Sequence, residues 1–271
     1  MKPLPPTESQ PPEIQILSDL HLELNQQYKT YTFPVTAPIL LLAGDTGRLV
    51  DYDAYLHFIA AQTARYEKVL LVLGNHEFFG ATYEEGLNAA VKLEAEPALQ
   101  GRLVLLHRRR WECPGLAVLG CTLWSHVPDD RKDAVVAKVG DYKRIQGWTT
   151  DLHNRLHQED VAWLREQVAA AGAEKMLVVT HHAPCVQGTS RPEHIENPWT
   201  VAFATDVLPH GNWGSVQTWV YGHTHYSTDF MCNGVRVVAN QRGYVSTDED
   251  ETLETSKRDP HRFDARMTIS L

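Results

Sequence analysis

The chain predicts an α/β architecture, built as one mixed sheet or two packed sheets flanked by helices. Three observations carry this reading. Short apolar runs of strand length recur along the chain and stop at a glycine or at a metal-ligand type of residue. Strand-like and helix-like patterns alternate through the N-terminal third. Beyond one long helical stretch, the remaining apolar runs are again strand-sized.

In chain order, Ile14 to Ser18, Ile39 to Ala43 and Val69 to Leu73 are short, predominantly apolar runs that read as buried strands. They end at Asp19, at Gly44-Asp45 and at Gly74-Asn75. Between them, Tyr52 to Tyr66 and Tyr83 to Glu94 space their apolar residues as amphipathic helices do. Leu103 to Leu106 and Leu116 to Leu119 read as further strands, and Leu152 to Ala171 as the strongest helix. Met176 to Thr180 leads to His181 and Thr218 to Tyr221 leads to Gly222, repeating the strand-then-ligand arrangement. Val235 to Ala239 and Met267 to Leu271 complete the strands. Open α/β sheets hold their sites at the carboxyl ends of strands, which is where these candidate ligands collect. Three stretches carry no regular pattern: Cys121 to Thr150, Ala183 to Gly214 and Thr247 to Arg262. The first two adjoin motif blocks and are placed to wall or cap a pocket; the third reads as a charged, solvated loop.

The 271 residues suffice for one large domain, expected over residues 14–271, behind a flexible lead of residues 1–13 that carries five prolines. That lead has no apolar core of a secretion signal, and no run approaches the ~18 apolar residues of a bilayer span. A cytoplasmic protein without membrane attachment is expected. Four cysteines show neither a Cys-x-x-Cys pair nor the density of a disulfide scaffold, so reduced thiols are expected. A formal net charge of -9, from 34 acidic against 25 basic residues, provides no global field for nucleic acid. An anionic ligand would need local cations, which bound metals supply.

Five short blocks concentrate the chemistry: Asp19-Leu20-His21, Gly44-Asp45, Gly74-Asn75-His76-Glu77, His181-His182 and Gly222-His223-Thr224-His225. Their carboxylates, imidazoles and one amide oxygen suit Mn, Fe or Zn better than a thiolate-seeking metal. Asp19 and His21 are two apart, as are His223 and His225, so each pair leaves on one face if the strand pleat persists to its end, although an Asp-x-His taken alone reads better as a capped turn or surface pair. Gly222 permits a sharp turn that aims its histidines inward. Asp45 follows a buried strand, where a carboxylate needs a partner or a metal, although capping of the following helix is an equal reading.

In order and wording these blocks resemble the calcineurin-like metallophosphoesterase superfamily, whose pattern is roughly D-x-H, G-D, G-N-H-[DE], H, G-H-x-H. Ser18 to Glu23, Gly74 to Gly80, His181 to Pro184 and Asn240 to Tyr244 look like a bacterial and fungal subgroup of predicted phosphoesterases. The resemblance implies a four-layer α/β/β/α sandwich with two packed mixed sheets. It implies one metal on Asp19, His21, Asp45 and His225 and a second on Asp45, Asn75, His181 and His223, with Asp45 bridging. Hydroxide held by the metals would then attack a small or nucleotide-like phosphomonoester or phosphodiester. His76 resembles the family's general acid, with binding of a phosphate oxygen as the alternative. A nuclease of the same superfamily and a non-catalytic scaffold are the competing readings; the acidic balance disfavours the first, and the intact ligand set disfavours the second.

One departure stands out. Relatives often continue the second block as G-D-x-x-D, and in the phosphoprotein-phosphatase branch that later Asp pairs with the general-acid histidine. Here Arg48 occupies that place. Arg48 and Arg242 are therefore candidates for substrate phosphate, against a solvent-facing Arg48 and an Arg242 paired with a surface carboxylate. His182 is expected to be structural or to support a ligand. His57, His107, His126, His153, His157, His194, His210 and His261 are expected on surfaces or in packed polar spots.

Overall fold

A computed structural model describes residues 11–172, 174–245 and 261–271. The lead expected over residues 1–13 and the charged stretch Thr247 to Arg262 fall largely outside them. The strands are β1 (Ile14–Leu17), β2 (Ile39–Ala43), β3 (Lys68–Val72), β4 (Leu103–Leu105), β5 (Arg109–Cys113), β6 (Leu116–Cys121), β7 (Met176–Thr180), β8 (Val216–Tyr221), β9 (Thr228–Cys232), β10 (Val235–Ala239) and β11 (Thr268–Ile269). The helices are α1 (Tyr52–Thr63), α2 (Tyr83–Glu94), α3 (Lys132–Lys138), α4 (Asp141–Arg144) and α5 (Thr150–Ala170).

Two mixed sheets form, in the orders β11-β1-β2-β3-β4 and β5-β6-β7-β8-β10-β9. The interior pairings are parallel, while β11, β5 and β9 add antiparallel edges. Alternation along each strand fixes the layers. Ile14, Ile39, Leu41, Leu70 and Val72 of the first sheet meet Val118, Leu177, Val179, Val220 and Val238 of the second in one buried cluster. The opposite face of the first sheet, including Leu40, Leu42 and Leu71, packs on Tyr55, Phe58 and Ile59 of α1 and on Leu93 of α2. The opposite face of the second, including Leu119, Val178 and Val237, packs on Leu164 and Val168 of α5. The result is the four-layer α/β/β/α sandwich. The interior strands are mostly apolar because both of their faces are covered.

The edges and the cap differ from the sequence reading. β5 and β9 consist almost wholly of exposed and half-buried residues, and so lack the apolar runs that mark the interior strands. Cys121 to Thr150 is not wholly irregular, since it contains α3 and α4. Val127, Val135, Val139 and Ala202 form a small cluster of their own there, tying that stretch to the segment before β8.

Candidate metal centre

The five blocks meet at the carboxyl ends of β1, β2, β3, β7 and β8. The backbone is bent sharply there: Asp19, His21, Asp45, His223 and His225 all hold φ between 48° and 73°. Such left-handed conformations are uncommon outside glycine and concentrate where surrounding structure enforces them for a site. Two glycines allow the close approach. Gly44 holds φ 90°, and a Cβ on it would collide with the His181 ring and stand 2.9 Å from the Gly74 nitrogen. A Cβ on Gly222 would strike the Ser18 hydroxyl and come within 2.7 Å of Asp19 Oδ2. Gly222 therefore serves by lacking a side chain.

Three groups of ligand atoms lie within 4.8 Å of one another: Asp19, His21 and His225; His21, Asp45 and His76; Asp45, His181 and His223. Asp45 reaches both sides, with Oδ2 3.9 Å from His21 Nε2 and Oδ1 3.4 Å from His181 Nε2. Asp19 Oδ1 is 3.5 Å from His225 Nε2. Asn75 Oδ1 lies 3.1 Å from His181 Nε2. Its amide is oriented from behind, because Asn75 Nδ2 donates to Asp141 Oδ1 at 2.7 Å. His181 Nδ1 donates to the Ala43 carbonyl at 3.0 Å, which leaves Nε2 as the lone-pair nitrogen facing the site.

Glu77 fastens the two glycine turns together, accepting from the backbone N–H of Gly74 at 2.7 Å, Asp45 at 2.9 Å and Thr46 at 2.8 Å. Burial, followed by the neighbouring Asp45 charge, raises its carboxyl to about 7, and these N–H groups oppose the rise. Burial opposes a charged His181, yet Asp45 outweighs it and pushes the imidazole up to about 10. The carboxylate thus calls for positive charge at this point. A divalent ion meets the same demand while keeping the imidazole neutral for ligation. His223 is lowered by burial and then by His181, and its buried Nε2 has no hydrogen-bond partner among the described residues. His225 is lowered mainly by burial. A neutral, unpartnered imidazole nitrogen grouped with a buried carboxylate is a fitting metal donor.

The family model of calcineurin-like phosphoesterases matches residues 13–227, most of the chain and every block above. The chain belongs to the calcineurin-like phosphoesterase family. Phosphohydrolase neighbours share its fold, and it is a metal-dependent phosphoric ester hydrolase. A protein of Acanthamoeba polyphaga mimivirus, itself uncharacterized, is 25% identical over 259 residues, covering 85% of this chain and 91% of its own. The phosphopantetheinyl hydrolase of Mycobacterium tuberculosis superposes with a TM-score of 0.64 at 18% identity, covering 88% of this chain and 91% of its own. A dimetal phosphatase of Danio rerio gives 0.50 at 12% identity, with 84% and 86% covered. At these identities the structural likeness carries the fold.

Within this calcineurin-like site the two arginine candidates part company. Arg48 turns away from the cavity: Asp51 grips its guanidinium through two hydrogen bonds of 3.0 and 2.9 Å. Arg242 lines the cavity, but its Nη1 donates to the Leu20 carbonyl at 3.1 Å and to Gln27 Oε1 at 2.7 Å. Its guanidinium stands 4.2 Å over the Tyr31 ring. His182 backs the site, its ring tilted against those of His223, 4.1 Å away, and Trp124, 5.2 Å away. Of the discounted histidines, His194 lines the cavity, while His153 and His157 are buried under α5.

Sequence reasoning missed two residues at His76. Glu23 Oε1 lies 2.7 Å from His76 Nδ1, so a carboxylate pairs with His76 although Arg48 stands in the second block. Tyr244 OH lies 3.2 Å from His76 Nε2. Burial works against a charged His76, but Asp45 and Glu23 outweigh it and raise its pKa. Glu23 is itself buried, and hydrogen bonds from His21 and His76 hold its carboxyl down at about 2. The signal for Glu23 was its place in the first block, Asp19-Leu20-His21-Leu22-Glu23, two residues beyond a ligand. Tyr244 is delivered by the Asn240-Gln241-Arg242-Gly243 segment, whose Arg242 and Gly243 N–H groups bond the Ser18 and Asp19 carbonyls at 3.0 Å.

Proposed function

We propose that the protein hydrolyses a small or nucleotide-like phosphoester at two divalent metal ions that share Asp45. The observation that carries this reading is the placement of the Asp45 carboxylate, one oxygen toward His21 and the other toward His181. Asp19, His21, Asp45 and His225 would hold one ion; Asp45, Asn75, His181 and His223 would hold the other. The nitrogen and oxygen donors favour Mn or Fe, with Zn as the alternative. Such a pair supplies an activated water and neutralises charge building on the phosphoryl oxygens.

The chain's own residues do the rest. Asp141 fixes the Asn75 amide so that its oxygen faces the site. Glu23 holds His76 by Nδ1, so Nε2 is the nitrogen presented toward Asp45 and Tyr244. With a proton on Nε2, His76 gives it to the departing alkoxide oxygen as the P–O bond breaks. The adjoining cavity, about 720 Å³, fits a small-molecule or nucleotide-sized ester.

The test is hydrolysis of p-nitrophenyl phosphate and bis(p-nitrophenyl) phosphate by metal-stripped protein, before and after addition of Mn. Turnover is expected only with metal, and no radiolabelled phosphate should remain on the protein during reaction. Metal-independent turnover, or a covalent phosphoprotein, would remove the mechanism.

A further inference from the structure

The charges around the cavity are segregated. The carboxylates that line it, Asp45 and Asp141, are both buried at the metal end. The lining also carries Lys138 at the end of α3, Arg144 at the end of α4 and Arg191 in the segment between β7 and β8, all three exposed. No carboxylate among the described residues lies within ion-pair distance of any of the three. Several arginines elsewhere are paired: Arg108 holds Glu159, Arg110 holds Glu112 and Glu174, and Arg236 holds Asp229.

Aromatic faces hold two of these wall cations without cancelling their charge. Lys138 Nζ stands 5.7 Å from the Trp199 ring, and the Arg144 guanidinium stands 5.3 Å from the Phe79 ring. The wall is a packed body, because the buried Val127, Val135, Val139 and Ala202 join α3 to the segment that contains Trp199. The three cations are thus presented together beside a phosphoester site, on a wall already organised before substrate arrives.

We propose that Lys138, Arg144 and Arg191 bind a second phosphate of the substrate, so that the physiological ester is one whose leaving group carries a phosphate of its own. This deepens the phosphoesterase reading and rests on it. Cations whose charge is unanswered within the chain gain most from a dianionic group, and three that line one cavity offer a phosphate several donors at once. A simple monophosphate engages the metal end alone. A bisphosphorylated substrate bridges both ends, and its second phosphate leaves with the alcohol.

The experiment measures calorimetric affinities of Mn-loaded protein for alkane-α,ω-bisphosphonates of increasing spacer length, each compared with the alkyl monophosphonate of equal carbon count. At one spacer length the bisphosphonate should bind at least about tenfold tighter. That ratio should fall toward one when Lys138→Gln, Arg144→Gln and Arg191→Gln are combined. Equal affinities at every spacer length in the wild type, or a ratio that survives the triple substitution, would overturn the proposal. Mn-dependent hydrolysis of bis(p-nitrophenyl) phosphate is followed alongside. Turnover with equal affinities sinks the second phosphate site alone, whereas a raised ratio without turnover keeps that site and sinks the phosphoesterase reading.

Discussion

At the residue scale, His76 is gripped by Glu23 at Nδ1 and faces Tyr244 through Nε2. A proton donor helps in proportion to the basicity of its leaving group, typically by ~10²–10⁴-fold. His76→Ala should therefore cost alkyl phosphoesters about that much and p-nitrophenyl esters far less, with both metals retained by elemental analysis. An equal loss on every ester, or the loss of one metal, would make His76 a phosphate contact or a ligand instead. Glu23→Gln keeps the shape and removes the charge that anchors His76; it should lower alkyl-ester turnover by on the order of tenfold, the usual scale for a residue that orients a reacting group. The candidate ligands were legible in the sequence because each sits in a short block with its own glycine or histidine neighbour. Glu23 was not assigned because its partner lies 53 positions away, and only the fold brings the two side chains together. The partner of Arg48, Asp51, lies three residues on, in a turn where spacing says little about direction.

At the element scale, strand positions were readable because interior strands buried on both faces leave continuous apolar runs. The edge strands β5 and β9 and the short α3 were not, since each buries too little to imprint a pattern; α3 buries only Val135. Helix α5 has a further consequence. Its face carries the buried His153, which accepts from the Ser125 backbone N–H at 3.1 Å. Burial, then the neighbouring His157, lowers His153 to about 3. The folded protein resists a proton that the unfolded chain accepts near the ordinary histidine value of about 6.5. The neutral ring's contribution to stability is thus fully present above that value and is lost as pH falls toward 3. His153→Gln preserves an acceptor and removes the titration. The variant's melting temperature should decline less steeply than the wild type's between about pH 6.5 and 4.5. Parallel slopes would show that His153 does not set this acid limb.

At the scale of the whole molecule, two sheets meet so that ligands from β1, β2 and β3 in one and β7 and β8 in the other share a single site. No helix among the described residues is long and apolar enough to cross a membrane. The net charge of -9 gave no hint of where an anion would dock, because charge counted over a chain does not report its distribution. The central claim is that Asp45 joins the two halves of this arrangement through two metals. Asp45→Ala should empty both positions, read as metal content per chain by elemental analysis. The most direct measurement is an anomalous difference map from crystals of the wild-type protein soaked in Mn. Two peaks about 3.5–4 Å apart are expected, each in contact with a different oxygen of Asp45. A single peak, or two peaks of which only one touches Asp45, would contradict it.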